Sequence, residues 1–76
     1  MRDVTTVSGV IISSTPIGEY DRRVVILTRE LGKISCFARG GRRPTSKLIA
    51  SGRSFIFANF NIYEGKSAYI LQDIFI

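Results

Sequence analysis

Arg23-Val24-Val25-Ile26-Leu27-Thr28-Arg29-Glu30-Leu31-Gly32-Lys33-Ile34-Ser35-Cys36-Phe37-Ala38-Arg39 reads as two strands joined by a turn. The first run is β-branched with a nearly continuous apolar centre and charges at both ends, the pattern of a strand covered on much of both faces. Gly32 can take the positive φ of a tight turn, and Ile34, Cys36 and Ala38 then alternate with polar or aromatic neighbours. The two runs are predicted to pair antiparallel.

Working outward, Val7-Ser8-Gly9-Val10-Ile11-Ile12-Ser13 is a strand candidate with Gly9 as the expected bend or bulge. Ser14-Thr15-Pro16-Ile17-Gly18 has turn composition, so a loop is expected from there to about Asp21. On the other side, Gly40-Gly41 ends the third strand, and Thr45-Ser46-Lys47-Leu48-Ile49-Ala50-Ser51-Gly52 is predicted to make one or two helical turns between hydroxyl caps and a terminal glycine. Alternation resumes from Ser54 to Tyr63, with Ile56, Ala58, Phe60 and Ile62 on the core side and Phe55, Phe57, Asn59, Asn61 and Tyr63 on the other. After the turn Glu64-Gly65-Lys66-Ser67, residues 68–76 read as a fifth strand.

Five strands with a short helix between the third and fourth give an all-β chain in the order of a five-stranded Greek-key barrel of the OB-fold type, with an SH3-like barrel as the nearest competitor. Seventy-six residues allow one domain, residues 1–76, whose core must be compact. The hydrophobic fraction of 45% with only two prolines argues against disorder. The apolar ending Ile74-Phe75-Ile76 points to the N-terminal part of a longer protein, or to residues packed in the barrel or on a partner.

Eleven Lys and Arg against six Asp and Glu give a formal charge of +5, which favours anionic partners, nucleic acid ahead of an anionic membrane surface. No acidic residue lies between Glu30 and Glu64, while Lys33, Arg39, Arg42, Arg43, Lys47 and Arg53 fall within that stretch. These six are the candidate nucleic-acid contacts: their charges neutralise phosphates and release counterions, and Gly40 and Gly41 let the main chain approach closely. The competing reading is a solvated loop. Arg22 and Arg23 rank lower because Glu19 and Asp21 beside them are expected to pair with part of their charge.

Phe37, Phe55, Phe57 and Tyr63 are candidates for stacking on unpaired bases, with packing as the alternative, for Phe55 and Phe57 against the helix or a missing domain. Tyr20 is either a wet interface residue or a loop ring folded over the barrel end.

Catalysis has little support, since the chain has no histidine and its carboxylates are scattered. Gly40-Gly41-Arg42-Arg43 lacks the spacing and lysine of a P-loop. The lone Cys36 falls on the apolar side of its strand and reads as a small buried hydrophobe; one cysteine makes neither an internal disulfide nor a structural metal site. No cofactor is expected. No apolar run approaches the length of a bilayer span and no signal-peptide core opens the chain, so the expected location is the cytoplasm.

Residues 16–35 and 38–48, above all Thr28-Arg29-Glu30-Leu31-Gly32-Lys33 and Gly40-Gly41-Arg42-Arg43-Pro44-Thr45-Ser46, resemble the N-terminal domain of the bacterial recombination mediator RecO, and Phe60-Asn61-Ile62-Tyr63-Glu64-Gly65 extends the likeness. The resemblance implies an OB-fold that helps bind single- and double-stranded DNA, without a catalytic residue, in a protein that anneals complementary strands and assists loading of the RecA recombinase. It implies phosphate contacts at Arg39, Arg42, Arg43 and Lys47, with Lys33 and Arg53 weaker. Thr45 stands where the family commonly has lysine, which implies slightly weaker binding. RecO proteins continue into a helical domain, often with a cysteine-bearing zinc site, that these residues do not include. Contacts with RecR and with single-stranded-DNA-binding protein are expectations for a full-length relative. The alternative is a protein-interaction module docking a partner such as RecR through its apolar strand end and first loop, and RNA binding is a third reading.

Overall fold

The computed structural model describes residues 3–76. Its strands are β1 (Thr5–Ile17), β2 (Asp21–Thr28), β3 (Gly32–Ala38), β4 (Phe57–Glu64) and β5 (Tyr69–Phe75), with one 3-10 helix, η1 (Ile49–Gly52), before β4. They close into a barrel in the order β1-β2-β3-β5-β4, β4 returning to β1. All pairings are antiparallel except β3 with β5, which meet only through Cys36 beside Tyr69 and Phe37 beside Ile70. This is the five-stranded OB-type barrel expected from the sequence.

The deciding hairpin forms as the expected antiparallel pair, with Val24 opposite Cys36 and Ile26 opposite Ile34. Its turn is set by Gly32 at φ +69° and by Thr28, whose hydroxyl accepts the Leu31 N–H at 2.9 Å and donates to the Gly32 carbonyl at 2.7 Å. Alternation then sorts the side chains. Val24, Ile26, Ile34, Cys36 and Ala38 point inward and join Val7, Ile11, Leu48, Phe60, Ile62 and Leu71 in one buried core.

Four local expectations are corrected. First, β1 is longer than residues 7–13: β4 pairs with it from Thr5 to Val10, and β2 from Gly9 on to Ile17. Beyond Val10, β1 and β2 form a two-stranded ribbon, where Pro16 opposite Arg22 can sit without a donor. The loop between them shrinks to residues 18–20. Second, the bulge of β1 lies between Ile11 and Ser13, not at Gly9. Gly9 serves close approach instead: a Cβ there would stand 2.4 Å from the Leu27 carbonyl oxygen.

Third, the helix is a single 3-10 turn. Its N-cap residue is Leu48, with no side-chain cap bond, so the expected hydroxyl cap does not form; the Leu48 N–H itself donates to Ser46 Oγ at 3.0 Å. Fourth, residues 54–56 are not strand. Phe55 takes φ +62°, and Phe55 and Ile56 bond instead to the backbone of Ile11 at the β1 bulge, so β4 begins at Phe57. Neither Phe55 nor Phe57 is packed under the helix; they are 76% and 78% exposed. Of the predicted core face, Phe60 and Ile62 are fully buried, Ala58 packs against the core, and Ile56 is half-buried. Among the described residues no helix is long and apolar enough to cross a membrane.

Candidate nucleic-acid interface

Because β2 and β3 are antiparallel, the end of β3 lies beside the start of β2, and the basic segment after Ala38 meets the β1–β2 loop. Two hydrogen bonds from its main chain fasten it there, one to the first residue of β2 and one to the loop. The Gly40 N–H donates to the Asp21 carboxylate at 2.7 Å, and the Arg42 N–H donates to the Tyr20 carbonyl at 2.8 Å. The Arg42 guanidinium adds a bond to the Gly18 carbonyl. Gly40 needs its φ of +70° to make this turn, and Arg43 N–H closes it on the Gly40 carbonyl at 3.0 Å. Beneath the turn, Gly41 is buried against Ser51 of η1, where a Cβ would come within 2.7 Å of Ser51 Oγ.

The expected pairing of Asp21 with neighbouring arginines is corrected by this arrangement, since its carboxylate is engaged by a main-chain donor. Arg22 turns to Ser14, donating to its hydroxyl at 3.3 Å, and its guanidinium lies against Gly52 of η1. Arg43 stacks over the Tyr20 ring with its guanidinium carbon 4.1 Å from the ring centroid. Arg39, Arg42, Arg43 and Arg53 are all exposed.

Two of the six candidates sit differently from that group. Lys33 is the second residue of β3 and Arg39 follows its end, so about 20 Å of strand separates them. Lys47 is not uncompensated: its ammonium pairs with Asp73 of β5 at 2.8 Å. That contact, aided by a 3.4 Å bond from the Asn61 amide, holds the Asp73 carboxyl below its ordinary range against the opposite push of partial burial.

The outward face of β2 and β3 adds Arg23, which ranks below the six candidates in sequence, and sets it beside the stacking candidate Phe37. One register row crosses the sheet as Thr15, Arg23, Phe37 and Ile70, which places Phe37 beside Arg23 and two residues before Arg39. Arg23 is exposed and Phe37 half-buried, so a cation and a ring share this face. Burial in β2 alternates around Val24 and Ile26, so its outer face is not covered as the nearly continuous apolar run implied, and Arg23 points outward.

A second outward surface is apolar. Leu27, Val10 and Phe57 form one row across β2, β1 and β4, and Phe75 stands opposite Asn59 in the next. Gly9 and Ile76 line grooves beside these residues.

A closed barrel in this strand order, with an acid-free basic loop fastened at one end, agrees with the family match: residues 1–75 fit the family described as the N-terminal domain of recombination protein O. The chain belongs to that RecO family. It is 39% identical over 65 residues to the DNA repair protein RecO of Acetivibrio thermocellus, covering 86% of this chain and 26% of that protein. The RecO protein of Clostridium acetobutylicum is 38% identical over 65 residues, with the same coverages of 86% and 26%. That of Heliobacterium modesticaldum is 42% identical over 57 residues, 75% of this chain and 21% of the relative. The chain thus spans about a quarter of the length of the RecO proteins it matches. No solved structure matches it.

Proposed function

We propose that this domain is a non-catalytic DNA-binding module of a RecO-type mediator of DNA repair and recombination, touching phosphates through the loop after β3. The observation that carries this reading is the fastening of residues 40–43 to the β1–β2 loop. A floppy basic loop would lose much of its binding energy to ordering, whereas this one holds Arg39, Arg42 and Arg43 in place beforehand. Arg53 and the outward pair Arg23 and Phe37 extend the same surface, with Lys33 at its far end. Lys47 contributes less because Asp73 neutralises it. Phosphate contacts position a strand without reading its sequence, so binding is broad, as strand annealing and support of RecA loading by the longer protein require.

The test is fluorescence anisotropy with labelled single-stranded and duplex DNA across a salt series. Affinity falls linearly with salt on logarithmic axes, and replacing Arg39, Arg43 and Arg53 together by alanine flattens the slope by about two to three charges. An unchanged slope in a folded variant overturns the assignment.

The apolar row Leu27, Val10 and Phe57 favours a second reading, docking of a protein partner such as RecR on the outer face of β1, β2 and β4. Phe57→Ser would abolish RecR capture and spare DNA binding if that surface is the dock.

A further inference from the structure

We infer that Tyr20 and Arg43 together form a stacking platform for one unpaired nucleobase, which gives the interface a preference for single strands that phosphate contacts alone lack. This rests on the DNA-binding reading above and deepens it. The central carbon of the Arg43 guanidinium lies over the Tyr20 ring, 4.1 Å from its centroid, while Tyr20 remains 48% exposed and Arg43 is exposed. A guanidinium stacked in this way keeps one free face for a base and a free N–H edge for a neighbouring phosphate.

The platform is rigid at its base. Tyr20 accepts the Arg42 N–H through its carbonyl, its neighbour Asp21 accepts the Gly40 N–H, and the Arg43 main chain bonds back to Gly40 and forward to Ser46. None of these bonds uses the tyrosine side chain, so the ring is free to serve recognition and its removal leaves the loop fastened. A base inside a duplex already has stacking partners on both faces. Only an unpaired base gains from a third surface, and base–aromatic stacking is worth about 1–3 kcal/mol per base.

The experiment compares labelled oligothymidylate with a strand of equal length made of abasic sites, about 16 nucleotides each, at one fixed salt concentration. The two carry the same phosphates and differ only in bases. The 76-residue chain is expected to bind thymidylate at least about fivefold more tightly. Tyr20→Ala should bring that ratio toward one with abasic affinity unchanged. Tyr20→Phe should retain the ratio, and Arg43→Lys should lower it. Circular dichroism checks the fold of each variant; if Tyr20→Ala fails to fold, the wild-type ratio and Arg43→Lys decide. Equal affinity of the wild type for both strands overturns the platform while leaving the phosphate reading standing, as does an equal loss on both strands in Tyr20→Ala. Binding to neither strand overturns both.

Discussion

The carboxylate of Asp21, the first residue of β2, accepts the main-chain N–H of Gly40, just beyond the end of β3, at 2.7 Å. This bond converts a basic sequence into a basic surface of defined shape, because it fixes the left-handed turn from which Arg42 and Arg43 project. Asp21→Ala is expected to cost about 1–2 kcal/mol of stability, the usual penalty for stranding a donor that had a charged acceptor. It should also weaken DNA binding severalfold despite raising the net charge by one. Asp21→Asn, which keeps an acceptor oxygen, should lie between Asp21→Ala and wild type. Chemical denaturation and anisotropy read the two effects, and tighter DNA binding by Asp21→Ala would show that charge outweighs loop order.

Gly9 offers a sharper test of the packing. Its missing side chain lets β1 and β2 pass so closely that a methyl group would meet the Leu27 carbonyl at 2.4 Å, a backbone atom that cannot swing aside. Gly9→Ala should therefore destabilise the barrel by about 1–3 kcal/mol, as overpacking does. Gly18 has open space around its Cβ position and a φ of +60°, so Gly18→Ala carries only backbone strain, about 1 kcal/mol. The order of the two midpoints in a denaturant titration checks the distinction.

These two glycines also show how far the sequence could be read. The hairpin of β2 and β3 was legible because a β-branched apolar run, a glycine, the alternation Ile34, Cys36, Ala38 and charged ends all pointed the same way, and the barrel order followed from five strand-like runs. Gly9 was legible as exceptional but not as to cause, since a bulge and a close approach leave the same mark on one chain. The bulge at Ile12 and the turn at Phe55 were not legible, because both exist to satisfy bonds between segments more than forty residues apart. The basic end of the interface could be read from its missing acids. Its shape could not, since the partners that hold it, Asp21, the Tyr20 carbonyl and Asp73, come from other strands and loops.

Cys36 is fully buried on the inner face of β3, and burial pushes its thiol up to about 12. Thiolate is the reactive form, so the native protein should resist thiol reagents at neutral pH and react only through unfolding. Labelling should accelerate in step with added denaturant, and rapid labelling without denaturant would contradict the burial. Cys36→Ser should destabilise the barrel by about 1–3 kcal/mol, since it places a hydroxyl where the surroundings are apolar.

The pair Lys47 and Asp73 ties the basic segment to β5 and gives the barrel an acid-sensitive fastening. The Asp73 carboxyl is held below its ordinary value in the folded state, so its contribution to stability is fully present above the unfolded value, about pH 4, and is lost as pH falls through the lower folded value. Asp73→Asn should remove that component of the acid-unfolding profile below about pH 4 and leave stability at neutral pH only slightly reduced, since a partly exposed pair is screened by water. The same substitution releases the Lys47 ammonium, so DNA affinity at low salt should rise a few-fold, with a salt slope steeper by up to about one charge. Lys47→Ala in the wild-type background should accordingly weaken DNA binding less than Arg39→Ala does. Equal losses for those two variants would mean that DNA draws Lys47 away from Asp73 on binding, and Asp73→Asn would then improve affinity by the energy of the broken pair alone.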